Sequence, residues 1–412
     1  MKPISLFFFL FFAIYCHAQI YWPNDLAYLK TELPKRHQNL FFKLPKKEFN
    51  ATMDALIKES MTLPKIVIGV RLQQLMAKIG DSHTGIRLTK FIDTSKVIPI
   101  FVHWFDDGFF ITHTTETYKE EIGSEIVRIN NIPIKTVADS IATLLVQDNQ
   151  AMNKSYLAGY FCLPELLIYF GFIGTDEKVI FQLKKENEIF EKEFTVGGVK
   201  KLNVELPIEK KRIGDQNRRA FFWEKYIEAD SIYYIQYNRC FSKESEKKYG
   251  NRKRAKKYPS FKKFQKKVFA TIKEKPINKF IFDMRYNGGG RAVVARGFIE
   301  KLKEVEKINQ KGKLFVLVGR STFSSAVINA MDFKEQTNAI FIGEETSGNP
   351  NYYGSARSFK LPTCGVRVWY SAKHFKYAEE ESNSFLPDIA VPVYFKDIIT
   401  GKDAAYEAVK AY

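Results

Sequence analysis

The chain has 412 residues, of which 45% are hydrophobic and 27% charged, a globular composition at a length that suits about two to four domains. Lysine and arginine number 64 against 46 acidic residues, for a net charge of +18. These values exclude a disordered tail, a collagen-like repeat and a small disulfide-stapled fold, and the positive excess permits attraction to anionic partners without naming one.

Residues 1–18 read as a secretory signal peptide: Lys2, an apolar run over 4–16, and the small residue Ala18. The run is too short to span about 30 Å of hydrocarbon as a helix. The protein is therefore expected to be exported, either periplasmic or secreted. Cys162, Cys240 and Cys364 would remain after cleavage, far apart and without CxxC or HExxH spacing. They read as core residues, which leaves no metal site and no catalytic cysteine.

Residues 24–80 carry helical periodicity. Asp25 is a candidate cap before Leu26, Leu29 and Leu33. A second helix is predicted over 50–60. A third, opened by Pro64, carries an apolar stripe of Ile66, Val67, Leu72, Leu75, Met76 and Ile79 and stops at Gly80. From about 97 to 135 the pattern becomes β-like, with a tight turn at Asn130 and Asn131. A helix follows over 137–145, then an apolar and helical stretch over 155–174, then a hairpin over 179–196.

The second half has a β-α-β rhythm. Strands are predicted at Ile232–Tyr237, Lys279–Asp283, Leu314–Val318 and 339–342, with helices at Phe261–Glu274, at 291–304 and from about Ser324. That rhythm implies a largely parallel sheet with helical layers. Residues 243–267 hold twelve Lys/Arg and two Glu. The segment has too few aromatics for a nucleic-acid reader, so no nucleic acid is expected. It reads as a solvated basic face that can attract anionic surfaces, a membrane among them.

Three stretches carry chemistry. In 282–290 (FDMRYNGGG) a buried strand runs into three glycines, a turn that brings backbone N–H groups close to a substrate. By itself this is only a tight βα turn. In 320–326 (RSTFSSA) Ser324 lies between a buried strand and a helix. On position alone it is an N-cap, although a nucleophile wants the same place. In 80–84 (GDSHT) His83 follows a helix and matters only beside a serine that needs a base. His37, in the polar run KRHQN, is expected to be exposed. His103 and His113 fall on strands of the middle region.

Taken in order, FDMRYNGGG, STFSSA, GEETSG at 343–348 and LPDIAVP at 386–392 resemble the C-terminal-processing, or tail-specific, serine peptidases. GDSHTGI is similar to the variant branch of that superfamily, and 123–134 resembles its PDZ-like module. The resemblance implies an α/β fold with a crotonase-like (ClpP/crotonase-type) catalytic core, an N-terminal helical domain and a PDZ-like module. The expected boundaries are 19–90 for the helical domain, 91–150 for the PDZ-like module and 151–412 for the catalytic domain.

The same likeness moves Ser324 from cap to nucleophile. The family's lysine base is missing, because position 349 is Asn, whose carboxamide cannot take a serine proton near neutral pH. The chain instead resembles the tricorn-type core peptidases, which use Ser, His and Glu. That implies His83 as base and Glu381 as its carboxylate, with Glu379 and Glu380 as rivals. The oxyanion hole would be built from the N–H groups of Gly289 and Ser325, and neither metal nor organic cofactor is needed. The implied activity is an exported serine endopeptidase acting on unstructured polypeptide through an acyl-enzyme. The alternative is a non-catalytic binder of peptides or hydrophobic ligands on the same fold, for which some of the 36 phenylalanines could line a pocket. N-terminal sequencing of exported protein should begin at or near Gln19; an intact Met1 would contradict the signal-peptide reading.

Overall fold

The computed structural model describes residues 21–146, 149–198 and 201–412, so the expected signal peptide lies outside it. Among the described residues no helix is long and apolar enough to cross a membrane.

The second half builds a six-stranded sheet. Its order is Ile389–Ala390, Ile340–Gly343, Leu314–Val318, Lys279–Asp283, Ile232–Tyr237 and Phe222–Ile227. The first five strands are parallel and the last is antiparallel to its neighbour. Alternate residues go to opposite faces. Tyr233, Ile235, Phe280, Phe282 and Val316 pack under the helices Phe261–Glu274, Val293–Lys303 and Ser325–Gln336. Tyr234, Ile281, Phe315 and Leu317 pack with Ala405 and Val409 of the helix Ala404–Ala411. A parallel sheet covered on both faces explains why these strands are almost continuously apolar. Lys279–Asp283 and Leu314–Val318 are neighbours, with Asp283 opposite Leu317. The glycine turn and the Ser324 turn therefore leave the same edge of the sheet side by side.

A second, antiparallel sheet runs Ile100–Phe105, Gly108–Thr114, Glu125–Ile129, Lys178–Lys185 and Glu188–Thr195. The turn at Asn130 has a positive φ of 48°. The boundary expected at residue 150 divides this sheet. The hairpin over 178–195 pairs with Glu125–Ile129, Ile126 opposite Leu183, and Val204–Glu205 pairs with Gly108–Thr114. Because the partner of an edge strand is set by long-range pairing, local composition carried no sign that these strands belong to the middle unit.

The third sheet is a long hairpin, Tyr352–Lys360 with Arg367–Phe375, joined by Gly85–Ile86. It packs against the N-terminal helices Trp22–Arg36, Lys46–Glu59 and Lys65–Ile79, so that Leu26, Leu33 and Met76 share a core with Phe359, Val368 and Tyr370. Asp25 does not cap the first helix. It lies inside the first turn, fully buried, and accepts hydrogen bonds from Thr363 N, Thr363 Oγ1 and Cys364 N, each at 2.8 Å. A capping-type residue was thus used to tie the N-terminal layer to the C-terminal hairpin. Asp25→Ala would strand two backbone donors. It should lower unfolding stability by about 1–3 kcal/mol, read from urea denaturation, a loss typical of buried donors left unpaired.

Candidate active site

Ser324 occupies the N-cap position of Ser325–Gln336, yet its side chain makes no cap. Its backbone is at φ 55° and ψ −124°, in the left-handed half of the map that non-glycine residues rarely adopt. Such a turn costs of order 1–3 kcal/mol and persists only where the surroundings hold it. Here Phe323 N donates to Asn287 O at 3.0 Å, and a Cβ on Gly348 would come within 3.1 Å of Ser324 N. The strained turn lifts the hydroxyl off the helix end and presents it to His83.

His83 comes from the other end of the chain. The helix Lys65–Ile79 ends on Gly80, whose φ of 78° fits a glycine C-terminal stop. Asp81 then accepts the His83 N–H through Oδ1 at 2.9 Å and shapes the following turn. That turn brings His83 Nε2 to 3.0 Å from Ser324 Oγ across 241 residues of sequence. The imidazole stacks on Phe323, with centroids 4.8 Å apart, and on Tyr352, at 5.5 Å. Burial raises the Tyr352 pKa, opposed by hydrogen bonding with the Ser324 side chain. Burial likewise pushes the His83 pKa below its ordinary value, partly offset by the Asp81 charge. The ring is therefore neutral near neutral pH. For Nε2 to accept the serine proton, Nδ1 must carry the ring hydrogen.

Asp81 is the one carboxylate within 4 Å of that Nδ1 among the described residues, with Oδ1 at 3.9 Å. Nδ1 itself is buried without a well-formed hydrogen bond, with Tyr353 backbone close by. His37, expected to be exposed, is buried behind Asp81. Asn39 N donates to His37 Nδ1 at 3.0 Å, so the His37 proton sits on Nε2 and is donated to Asp81 Oδ2, also at 3.0 Å. Burial works against ionisation of Asp81. Hydrogen bonds from His37, Thr84 and the His83 backbone outweigh it and hold the carboxyl below its usual range. From the sequence Asp81 has no assigned role and His37 belongs on the surface, whereas the structure buries His37. The spacing of GDSHT placed Asp81 beside His83, but nothing local marked it as buried.

Glu381 lies on an exposed loop and accepts a hydrogen bond from Asn351 Nδ2 at 3.3 Å. Asn351 also takes Tyr377 N and Ala378 N on its Oδ1, at 2.9 and 3.0 Å, and so shapes the start of this loop. Glu381 shares a cavity of about 290 Å³ with Asp81, Ser82 and Asn349 but makes no bond to His83. Glu379 is exposed and pairs with Lys376 at 3.2 Å, while Glu380 offers Asn351 only its backbone oxygen.

The glycine turn lies against the serine turn: a Cβ on Gly289, at φ 95°, would come within 2.9 Å of Ser324 Cβ. The Gly289 N–H, expected to face an oxyanion, is donated to Asn287 Oδ1 at 2.9 Å. The same carboxamide donates to Tyr237 O at 2.8 Å, which fixes its orientation. The Ser325 N–H, an orphan donor of the first helical turn, has no partner among the described residues. Its side chain bonds Gly290 O at 3.0 Å.

The remaining histidines are placed elsewhere. His103 and His113 both meet Thr112, and burial pushes His103 down to about 4; His374 lies tilted against the Tyr353 ring, centroids 4.5 Å apart. The three described cysteines are free, and burial pushes the Cys240 thiol up to about 12. Among the described residues no group of three or more His, Cys, Asp or Glu is arranged to hold a metal ion.

No protein-family model matches the chain, and no curated protein matches its sequence. Solved structures do match. Mature CPAF complexed with lactacystin is 13% identical over 94% of this chain and 97% of that one, with a TM-score of 0.64. Mature CPAF in a second structure is 13% identical over 94% and 96%, with a TM-score of 0.61. The photosystem II D1 C-terminal processing protease is 14% identical over 93% and 98%, with a TM-score of 0.38. The chain shares the mixed α/β fold of mature CPAF along nearly its whole length.

Proposed function

We propose that the chain is an exported serine endopeptidase that cleaves unstructured polypeptides through an acyl-enzyme. The observation that carries this reading is Ser324 Oγ at 3.0 Å from His83 Nε2, on a strained turn where a plain cap would need no strain. The motif order that resembles the tail-specific peptidases and the fold shared with mature CPAF support it.

Ser324 Oγ attacks the scissile carbonyl carbon as His83 Nε2 takes its proton. The C–O bond forms, and the carbonyl electrons move onto oxygen. The Ser325 N–H faces that oxyanion, joined by the Gly289 N–H as it shares or leaves Asn287. The C–N bond then breaks, with His83 returning the proton to the leaving amine, and water repeats the sequence on the acyl-enzyme. The imidazolium formed in each half needs a negative neighbour. Glu381 is the carboxylate implied by the family likeness. Asp81, ionised and 3.9 Å from Nδ1, is the one that geometry favours. The middle sheet is read as the PDZ-like module, which would take substrate as an added strand, and the six-stranded layer as the crotonase-like core.

A fluorophosphonate should label Ser324 and no other residue, and a folded sample that neither labels nor cleaves unfolded casein would leave the binder reading in its place. Ser324→Ala and His83→Ala should each lower kcat by roughly ten-thousand-fold or more, since members of such a unit fail together. Asn349→Ala should keep most of the rate.

Glu379→Gln, Glu380→Gln, Glu381→Gln and Asp81→Asn, made singly, identify the working carboxylate by the largest loss of kcat. The base works only when neutral, so kcat/KM should rise with pH along a limb centred below 6.5, the direction in which burial moves His83. The Asp81 charge raises that pKa, so Asp81→Asn should carry the limb to still lower pH. A limb above pH 8 would point to a lysine base instead.

A further inference from the structure

The basic segment 243–267 folds beside the candidate site. It forms the helices Lys243–Tyr249 and Arg252–Ala255 and the start of Phe261–Glu274. Arg291 Nη2 donates to Tyr249 O at 2.9 Å and lies 3.7 Å from the Glu246 carboxylate. Arg291 N donates to Cys240 O, and Cys240 N to Gly289 O, so the strand end that leads into the basic helices is laced to the glycine turn. A Cβ on Gly290 would come within 2.6 Å of Cys240 O, a close approach that glycine allows. Gly290 O in turn accepts the Ser325 hydroxyl. One glycine turn therefore separates the basic lobe from the serine that attacks.

The lobe's own acids do not neutralise it. Glu246 has a fully buried side chain and is engaged by Arg254 and Arg291. Glu244 accepts Ser260 Oγ and Phe261 N, where it serves the start of the next helix. Of the twelve Lys/Arg in 243–267, only Arg254 and Lys267 have an ion-pair partner among the described residues. Lys247, Lys248, Arg252, Lys253, Lys256 and Lys257 are all exposed. So dense a set of like charges without ion-pair partners repels itself. It attracts negative charge over about a Debye length, ~10 Å at 0.1 M salt.

We propose that this lobe is the docking surface for acidic stretches of the polypeptide substrate, so that the substrate class is unstructured chain with an Asp/Glu-rich segment near the cleaved bond. The proposal rests on the peptidase reading and adds its selectivity. A polypeptide is favoured over a lipid surface because the lobe is fastened to the turn that faces the reacting carbonyl.

The test uses two unstructured fluorogenic polypeptides with the same cleavable centre, one flanked by an Asp/Glu tract and one by a Gly/Ser tract. At low salt the acidic substrate should have the larger kcat/KM by roughly tenfold or more, and the advantage should shrink as salt is raised, as steered encounters do. Combining Lys247→Glu, Lys253→Glu and Lys257→Glu, all exposed positions, should cut the acidic-over-neutral ratio by roughly tenfold. A wild-type ratio near one, or a ratio that the triple variant leaves unchanged, overturns the proposal.

Binding separates this from the peptidase reading. Full-length Ser324→Ala protein is titrated with the labelled acidic polypeptide, followed by anisotropy, whether or not the wild type cleaves. Salt-sensitive binding that the charge reversals weaken supports the lobe even if hydrolysis fails. No binding overturns it even if hydrolysis succeeds. Binding to phosphatidylglycerol vesicles that the reversals abolish, with acidic-polypeptide binding unaltered, overturns it in favour of a membrane.

Discussion

The contact between Ser324 and His83 sets the demands on everything else. Its two members sit on different layers, 241 residues apart, and must be held at 3.0 Å. No local element can do that. The N-terminal helices are accordingly fastened to the C-terminal half at several places. Asp25 takes three donors from 363–364. Gln38 N donates to Ser371 O at 2.9 Å, and Ser371 N donates to Thr84 Oγ1 at 3.3 Å. Gly85–Ile86, which begins two residues after the histidine, enters the hairpin sheet with Gly85 opposite Trp369. The histidine loop is thus held on both sides by the hairpin, whose first residue, Tyr352, also stacks on the imidazole. Burial of a shared apolar core supplies the affinity between the layers, and the hydrogen bonds supply the register.

The serine side is held by different means. A positive φ at a residue with a Cβ stores strain, and the surrounding turn must keep it from relaxing into an ordinary cap. Asn287 does this with its whole functional inventory. Its backbone oxygen takes Phe323 N, its Oδ1 takes Gly289 N, and its Nδ2 holds Tyr237 O. Beneath it, Arg285 is buried between Asp283 and Asp403, with Nη1 2.7 Å from Asp403 Oδ1. The motif FDMRYNGGG is therefore mostly scaffold. Asp283 and Arg285 brace the sheet edge, Asn287 shapes the turn, and the glycines let that turn lie against Ser324.

Much of this was legible in the sequence where the signal is local. The strand Leu314–Val318 and the centre of Lys279–Asp283 are apolar because both faces are covered, and the turns after them followed from chain order. Ser324 is ambiguous on position alone, since a cap and a nucleophile occupy the same place; the backbone angle and the histidine beyond it are what favour the proposed nucleophile role. What stayed hidden depends on distant partners. The hairpin over 352–375 carries exposed Ser355, Arg357 and Lys373, while its inward Phe359, Val368 and Tyr370 find their partners in the N-terminal helices. The middle sheet draws strands from beyond residue 150 for the same reason. His37 looked exposed because its neighbours Lys35 and Arg36 are solvated, although the helix ends on it and turns the ring inward to Asp81.

His83, Asp81 and the His37 ring behind them show how one site keeps a neutral base beside a fixed anion. Desolvation penalises both a charged imidazole and a charged carboxylate. At His83 it prevails and the ring stays neutral, which a proton acceptor requires. At Asp81 it is overcome, because each hydrogen bond from His37, Thr84 and the His83 backbone stabilises the anion. His37 can contribute only in one tautomer, and Asn39 N selects it by donating to the other nitrogen. The result is a fixed negative charge 3.9 Å from the ring that, in the proposed mechanism, becomes positive while it holds the serine proton. Because Asp81 is already ionised and already oriented, the proposed mechanism leaves little reorganisation for the moment when that charge would appear, and this is the form of electrostatic help that a buried site delivers most effectively.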